Sequence, residues 1–156
     1  MIFKAATKIP NIIKLNLPKL MNVASRLVSN GKLAVSDNKL VYLDIDDAYV
    51  HQLFPLLQNK HVKKPDYFGE KSAGAHITVM YPQENKTIKS EDLNQAHSFR
   101  VMDIVTADID CKVYYVLLVE SASLLELRRR YGLADQLCFK GYSIDFHITI
   151  GVIGMG

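Results

Sequence analysis

Two short segments of the chain repeat one pattern, and that pattern limits what each segment can form. The first, AHITV, spans residues 75–79, and the second, FHITI, spans residues 146–150. Both alternate apolar and polar residues, which predicts half-buried strands whose successive side chains point to opposite faces. His76 and Thr78 therefore share one face, as do His147 and Thr149. The opposite, apolar faces are expected to pack on a core.

The repetition favours a functional site over a structural role. A single His-x-Thr strand is usually structural, because threonine favours strands and a half-buried histidine is stable once it is hydrogen-bonded. The chain has five histidines, and chance would place two of them in this context in roughly one case in a hundred or fewer. If the two strands lie side by side, two imidazoles and two hydroxyls converge, which are groups suited to phosphoryl chemistry.

The paired motif resembles that of the 2H phosphoesterase superfamily. That superfamily includes 2′,3′-cyclic phosphodiesterases, 2′-5′ oligoadenylate phosphodiesterases and phage anti-CBASS nucleases. The similarity covers approximately residues 39 to 151. It implies a bilobal fold in which two antiparallel sheets face a central cleft, with helices on the outside and one motif strand from each lobe. The abundance of strands in hairpin-like order also indicates the α+β class.

Histidine pairs suit hydrolysis of a phosphodiester, which needs a base for the nucleophile and an acid for the leaving oxygen. An ordinary pKa of about 6.5 allows either protonation state near neutrality. We predict His76 and His147 as this pair, with the assignment of acid and base left open. Thr78 and Thr149 are predicted to donate hydrogen bonds to phosphate oxygens. The sequence has no HExxH motif, carboxylate cluster or Cys-His spacing, so we expect no metal and no cofactor.

Length and composition indicate one domain of 156 residues, with 49% hydrophobic and 22% charged residues. We divide it into a basic arm, residues 1–38, with a helix and a hairpin strand packed on the domain, and a core, residues 39–156. The first 15 residues look irregular. An apolar stripe then predicts a helix from about residue 17 to 28, with Pro18 in its first turn and Gly31 at its end. Residues 32–35 and 39–45 predict a hairpin.

Several further residues are candidates for substrate binding. Residues 59–74 form a polar loop rich in lysine, in which basic and aromatic side chains could attract phosphate and stack a base; a purely solvated loop is an equally supported alternative. The basic residues of this loop are Lys60, His61, Lys63, Lys64 and Lys71. The proposed substrate-binding residues are Tyr67, Phe68, Tyr81, Tyr142 and Lys140.

A helix near residues 123–131 opens with a capping-box pattern, Ser123 to Glu126, and carries an arginine run at residues 128–130. Such a run predicts a solvated helix face. No apolar run is long enough to cross a bilayer, no signal peptide is evident, and two cysteines imply no disulfide framework. We therefore expect a cytoplasmic protein, in the host bacterial cytoplasm if it is phage-encoded.

Three functions fit these features. The first is hydrolysis of cyclic di- or trinucleotide signals, as in phage anti-CBASS enzymes, which suits a minimal single domain and is our prediction. The second is RNA-end processing at 2′,3′-cyclic phosphates or 2′-5′ linkages, which a longer basic track would favour. The third is a non-catalytic nucleotide-binding module, which two intact motifs oppose. The mild net charge of +3 predicts no stable long nucleic-acid partner, and we expect no membrane partner.

Overall fold

The computed structural model describes residues 8–68, 72–84 and 87–154. Besides the helices and strands given next, short 3-10 turns occur at Phe54–Leu57 and Ser90–Asp92. In chain order the regular elements are β1 (Asn11–Lys14), α1 (Pro18–Ala24), β2 (Asn30–Val35), β3 (Val41–Asp44), α2 (Ala48–His51), β4 (His76–Met80), β5 (Ala96–Ser98), β6 (Arg100–Ile109), β7 (Lys112–Glu120), α3 (Ala122–Arg130), β8 (Leu137–Phe139), β9 (Tyr142–Ile144) and β10 (His147–Gly154).

Two four-stranded antiparallel sheets form the framework. One has the strand order β1-β6-β7-β10 and the other has the order β4-β3-β2-β5, while β8 and β9 form a separate hairpin. The two motif strands, β4 and β10, each end a sheet, and they contact each other. The predicted α+β fold with two antiparallel sheets is confirmed, and each sheet supplies one motif strand.

The apolar faces of the motif strands lie in the core. Ile77 and Val79 of β4 are fully buried, as are Ile148 and Ile150 of β10. Burial of each such side chain stabilises the fold by about 1.5–3 kcal/mol. Because side chains alternate along a strand, this burial turns the histidine and threonine of each motif to the opposite face.

The N-terminal segment is more ordered than its sequence indicates. Residues 11–14, predicted to be irregular, form the edge strand β1 and pair with β6. All four side chains of β1 are exposed, so the strand depends on backbone pairing with a distant partner and lacks a local apolar signature. The predicted hairpin of β2 and β3 is confirmed.

Helices α1 and α3 form where the sequence predicts helices, but their bounds differ from the prediction. Pro18 opens α1, but the helix ends at Ala24, and Gly31 lies in β2. A Cβ on Gly31 would lie 2.1 Å from the carbonyl oxygen of Asp44, so only glycine fits there. The N-cap of α3 is Ser121, whose hydroxyl accepts from the amide of Leu124 at 3.3 Å. The predicted capping box at residue 123 is therefore wrong by two residues.

The arginine run also differs from the prediction of a solvated face. The side chain of Arg128 is fully buried and pairs with Glu84 at 2.9 Å, whereas Arg129 and Arg130 stay largely exposed. Arg128 also donates to the carbonyl oxygens of three residues, which satisfies the guanidinium inside the protein. These acceptors belong to Val79, Ala134 and Gln136. None of the helices in the described ranges has the length and apolar content needed to cross a bilayer.

Candidate active site

Both motifs open into one cleft of about 860 Å³. His76 and Thr78 line it from β4, and His147 and Thr149 line it from β10. The convergence follows from the contact between the two end strands, whose apolar faces are already committed to the core. The structure therefore brings together the four residues that the sequence paired by motif alone.

Each imidazole is held by the same local hydrogen bond. Nδ1 of His76 lies 2.6 Å from the carbonyl oxygen of Gly74, and Nδ1 of His147 lies 2.8 Å from that of Asp145. A carbonyl oxygen only accepts, so Nδ1 carries the hydrogen in both rings. The neutral ring then has its lone pair on Nε2. Both rings thus keep Nε2 as the atom that can accept or donate a proton.

Burial lowers the pKa of both histidines below the ordinary value. For His76, the hydrogen bond to Gly74 and the charge of Asp44 offset part of this effect. For His147, the bond to Asp145 offsets part of it, while positive charge on His76 lowers the pKa further. A proton on one ring thus disfavours a proton on the other, because like charges repel at short range. A pair that holds one proton is suited to act as one acid and one base.

The loop before β4 fixes the position of the first motif. The carboxylate of Asp47 accepts from the amide of Ala75 at 2.9 Å. Gly74 has a φ of +70°, and a Cβ there would lie 2.7 Å from Asp47 Oδ1, so this turn requires glycine. The ring of Tyr42 packs edge-on against His76 at 5.6 Å between centroids. The position of the His76 imidazole is therefore fixed in two ways. The turn at Gly74 holds its backbone, and the ring of Tyr42 packs against its side chain.

Tyr67 contacts both motifs. Its ring packs edge-on against His76 at 4.8 Å between centroids, and its hydroxyl donates a hydrogen bond to the carbonyl oxygen of Thr149. Burial raises the pKa of Tyr67 well above its ordinary value, which keeps the hydroxyl protonated as a donor. Tyr67 lines the cleft as well. Phe68 packs on Tyr67 and His51 and is not among the residues that line the cleft.

Basic side chains line the side of the cleft next to β10. Lys63 pairs with Val152 through two backbone hydrogen bonds of 3.0 and 2.9 Å. This close approach needs Gly151, where a Cβ would lie 2.3 Å from Val62 Cγ1. Lys63 and Lys64 line the cleft in consequence, as His61 does. Of the other predicted basic residues of this loop, Lys60 is not among the lining residues, and Lys71 lies outside the described residues.

The remaining predicted binding residues divide between the cleft and the β8–β9 hairpin. Tyr81 lines the cleft, and burial raises the pKa of its hydroxyl well above the ordinary value. Lys140 lies over the ring of Phe139 at 5.2 Å, and Tyr142 contacts Lys8 at 5.3 Å. Neither Lys140 nor Tyr142 is among the residues that line the cleft.

Lys112 and Tyr114 also line the cleft, and neither was one of the predicted binding residues. Both lie at the start of β7, whose place beside β10 depends on strand pairing over a long sequence separation. The only indication in the sequence that these two residues could line a cleft together is the alternation of side chains along β7, which places both on one face. Across the described ranges, no group of three or more His, Cys, Asp or Glu residues could hold a metal ion.

Comparison with known proteins agrees with this geometry. The 2H-SAK family, described as Swiss Army Knife, 2H phosphoesterase domain, matches residues 41–154. This stretch runs from β3 to β10 and includes both motif strands. No curated protein and no solved structure matches the chain. Because the match covers well over half of the sequence and contains both His-x-Thr strands, this chain belongs to the 2H phosphoesterase family.

Proposed function

We propose that the protein is a metal-independent phosphodiesterase that hydrolyses the phosphodiester bonds of cyclic di- and trinucleotides. The observation that carries this proposal is the convergence of two His-x-Thr pairs in one cleft, with each Nδ1 bonded to a backbone carbonyl. That arrangement leaves both Nε2 atoms available for proton transfer and two hydroxyls for the phosphate.

In the proposed mechanism one histidine acts as the base and the other as the acid. Nε2 of the neutral histidine takes a proton from the nucleophile, which is water or a neighbouring ribose 2′-hydroxyl. The nucleophile forms a bond to phosphorus while the bond to the leaving oxygen breaks. Nε2 of the protonated histidine gives its proton to that oxygen. The hydroxyls of Thr78 and Thr149 donate hydrogen bonds to the non-bridging oxygens, where negative charge develops.

The charge of the cleft supports a substrate with more than one phosphate. Lys63, Lys64 and Lys112 line it, and Asp66 is the acidic residue among the lining residues. A cleft of about 860 Å³ is also larger than one phosphate requires. Together these features favour an oligonucleotide over a single small phosphate ester, because each further phosphate gains from a cationic wall.

A cyclic oligonucleotide is our preferred substrate because it is a compact polyanion, which suits the cleft of a minimal single domain. Its hydrolysis would destroy a signal of bacterial CBASS defence, in the cytoplasm of a bacterial host. The histidine pair would serve equally at an RNA 2′,3′-cyclic phosphate or a 2′-5′ linkage, and the basic loop that contains Lys63 and Lys64 favours this second function.

A chromatographic cleavage assay in EDTA separates these functions. The substrates are 3′,3′-cyclic dinucleotides, cyclic trinucleotides, RNA with a 2′,3′-cyclic phosphate end, and 2′-5′ oligoadenylate, with His147→Ala as the inactive control. Fast loss of the cyclic oligonucleotides alone supports the proposal. Turnover of only the RNA end or the 2′-5′ linkage replaces it with RNA processing. Tight binding without turnover of any substrate indicates a nucleotide-binding module.

A further inference from the structure

A second, smaller pocket of about 250 Å³ opens beside the catalytic cleft. The two spaces share four lining residues, His147 and Thr149 together with Tyr81 and Tyr114. A group bound in the smaller pocket would therefore lie next to the second motif. The smaller pocket adjoins the proposed site of bond cleavage. Its walls are mostly apolar, whereas the walls of the larger cleft carry lysine side chains.

The walls of this pocket are mostly apolar and come from three parts of the chain. The floor consists of side chains of β6 and β7, and the roof belongs to the β8–β9 hairpin. The third wall comes from the segment that leads into β1 and from β1 itself. These lining residues are Ala107, Val116 and Leu118 in the floor, Phe139 and Ile144 in the roof, and Ile9, Pro10 and Ile12 in the N-terminal wall.

The N-terminal wall is held in place at both ends. The amide of Lys8 donates to the carbonyl oxygen of Gly141 at 3.1 Å, and the amide of Ser143 donates to the carbonyl oxygen of Lys8 at 2.9 Å. Residues 11–14 then pair with β6. The segment thus joins the hairpin to the sheet. It precedes residues 41–154, the part of the chain that matches the family, so this wall is a feature beyond the family match.

The volume and lining of the pocket suit one aromatic ring system. Tyr81 and Phe139 lie 5.0 Å apart between centroids, and Tyr114 meets Phe139 edge-on at 6.2 Å. A volume of about 250 Å³ is below the range of ~300–1,000 Å³ that holds drug-sized ligands. The pocket therefore accommodates a ring system rather than a whole nucleotide. Gln136 and Asp145, hydrogen-bonded to each other at 3.0 Å, provide polar groups among its lining residues.

We propose that this pocket binds one nucleobase of the substrate, and that residues 8–14 limit which ring fits. The inference rests on the proposed function, because it takes the substrate to be a nucleotide. The phosphate attached to that nucleoside lies between the two motifs, and the rest of the substrate follows the basic wall of the larger cleft. The ring is bound by stacking on aromatic side chains, which is tolerant of base identity and contributes strongly to nucleic-acid binding.

Fluorescence of a stacked base analogue tests this proposal without requiring turnover. The probe is 2-aminopurine riboside 3′-monophosphate, whose emission falls when its base stacks on an aromatic ring. Ile12→Phe and Ala107→Phe narrow the pocket from two neighbouring strands, since Ile12 of β1 and Ala107 of β6 are register partners and both line the pocket. Ile13→Phe is the matched control, because Ile13 adjoins Ile12 in β1, is 52% exposed and is not among the lining residues. Ribose 5-phosphate, followed by calorimetry, reports binding of phosphate without a base.

We expect the wild type and Ile13→Phe to quench the probe equally. Ile12→Phe and Ala107→Phe should weaken probe binding about tenfold, as loss of one base stack does, with ribose 5-phosphate binding unchanged. No quenching by the wild type, or equal affinity in all variants, would overturn the proposal. Because Ile12 lies on an exposed edge strand, its variant keeps the test valid if Ala107→Phe does not fold. Quenching without hydrolysis of any substrate would refute the proposed enzyme and leave the nucleobase pocket standing.

Discussion

Replacement of Arg128 by methionine should be among the most destabilising single changes in this protein. The guanidinium is completely buried, and Glu84, its ionic partner, is 7% exposed. Arg128 donates two hydrogen bonds to the Glu84 carboxylate and one each to three backbone carbonyls. Methionine fills much of the same volume and makes none of these bonds. The change therefore isolates the electrostatic and hydrogen-bonding role of the side chain.

The expected loss of unfolding free energy follows from the environment of the Glu84 carboxylate once the guanidinium is removed. Removal of one partner of a buried ion pair costs about 3–5 kcal/mol, because the remaining charge is buried without compensation. Among the described residues, Glu84 would keep the backbone amides of Tyr81 and Cys138 as hydrogen-bond donors. Since small domains have a total unfolding free energy of about 5–15 kcal/mol, Arg128→Met should lose a fifth or more of it.

Urea denaturation followed by circular dichroism measures this loss. Arg129→Met is the matched control: it removes the neighbouring arginine, whose pair with Asp135 is exposed on both sides, and its unfolding midpoint should stay close to that of the wild type. Arg128→Met combined with Glu84→Leu should recover part of the loss, because no unpaired charge then remains. A loss for Arg128→Met below about 1 kcal/mol would refute the reasoning.

Three further predictions concern the catalytic cleft. Because burial lowers the pKa of both His76 and His147, the profile of kcat/KM against pH should be bell-shaped with its maximum below about 6.5: the base gains activity as pH rises through its pKa, and the acid loses it. A maximum above pH 7 would contradict this. Tyr67→Phe removes the hydrogen bond to Thr149 and keeps the ring, so kcat should fall about tenfold with KM nearly unchanged; an unchanged kcat would remove Tyr67 from the positioning of the motifs. Thr149→Val should lower kcat about 100-fold and leave measurable turnover, as loss of one donor to a developing oxyanion does; wild-type kcat would exclude this role.

The sequence predicted the two motif strands because their signal is local. Alternation over five residues places His76 beside Thr78 on one face and commits Ile77 to the core, and both outcomes are confirmed. The resemblance to the 2H phosphoesterase superfamily, which the repeated motif carries, implied that two lobes would supply one strand each. These features need no knowledge of which strands pair.

Other features depend on contacts between distant segments and left no local signal. The exposed strand β1 forms because its backbone pairs with the edge of β6. Arg128 looks like one member of a solvated run, and only the fold shows that Glu84 and three carbonyls surround it. The nucleobase pocket likewise requires the N-terminal segment, the β8–β9 hairpin and β6 to meet. Pairing of this kind is decided by packing over the whole domain.

The most direct test of the central claim is the turnover of cyclic dinucleotides in EDTA by His76→Ala, His147→Ala and the double variant. General acid-base catalysis by one histidine contributes about 10²- to 10⁴-fold. Each single variant should therefore lose at least about 100-fold in kcat, and the double variant should show no turnover, with urea midpoints near that of the wild type. Cleavage by the double variant at the wild-type rate would contradict the two-histidine mechanism.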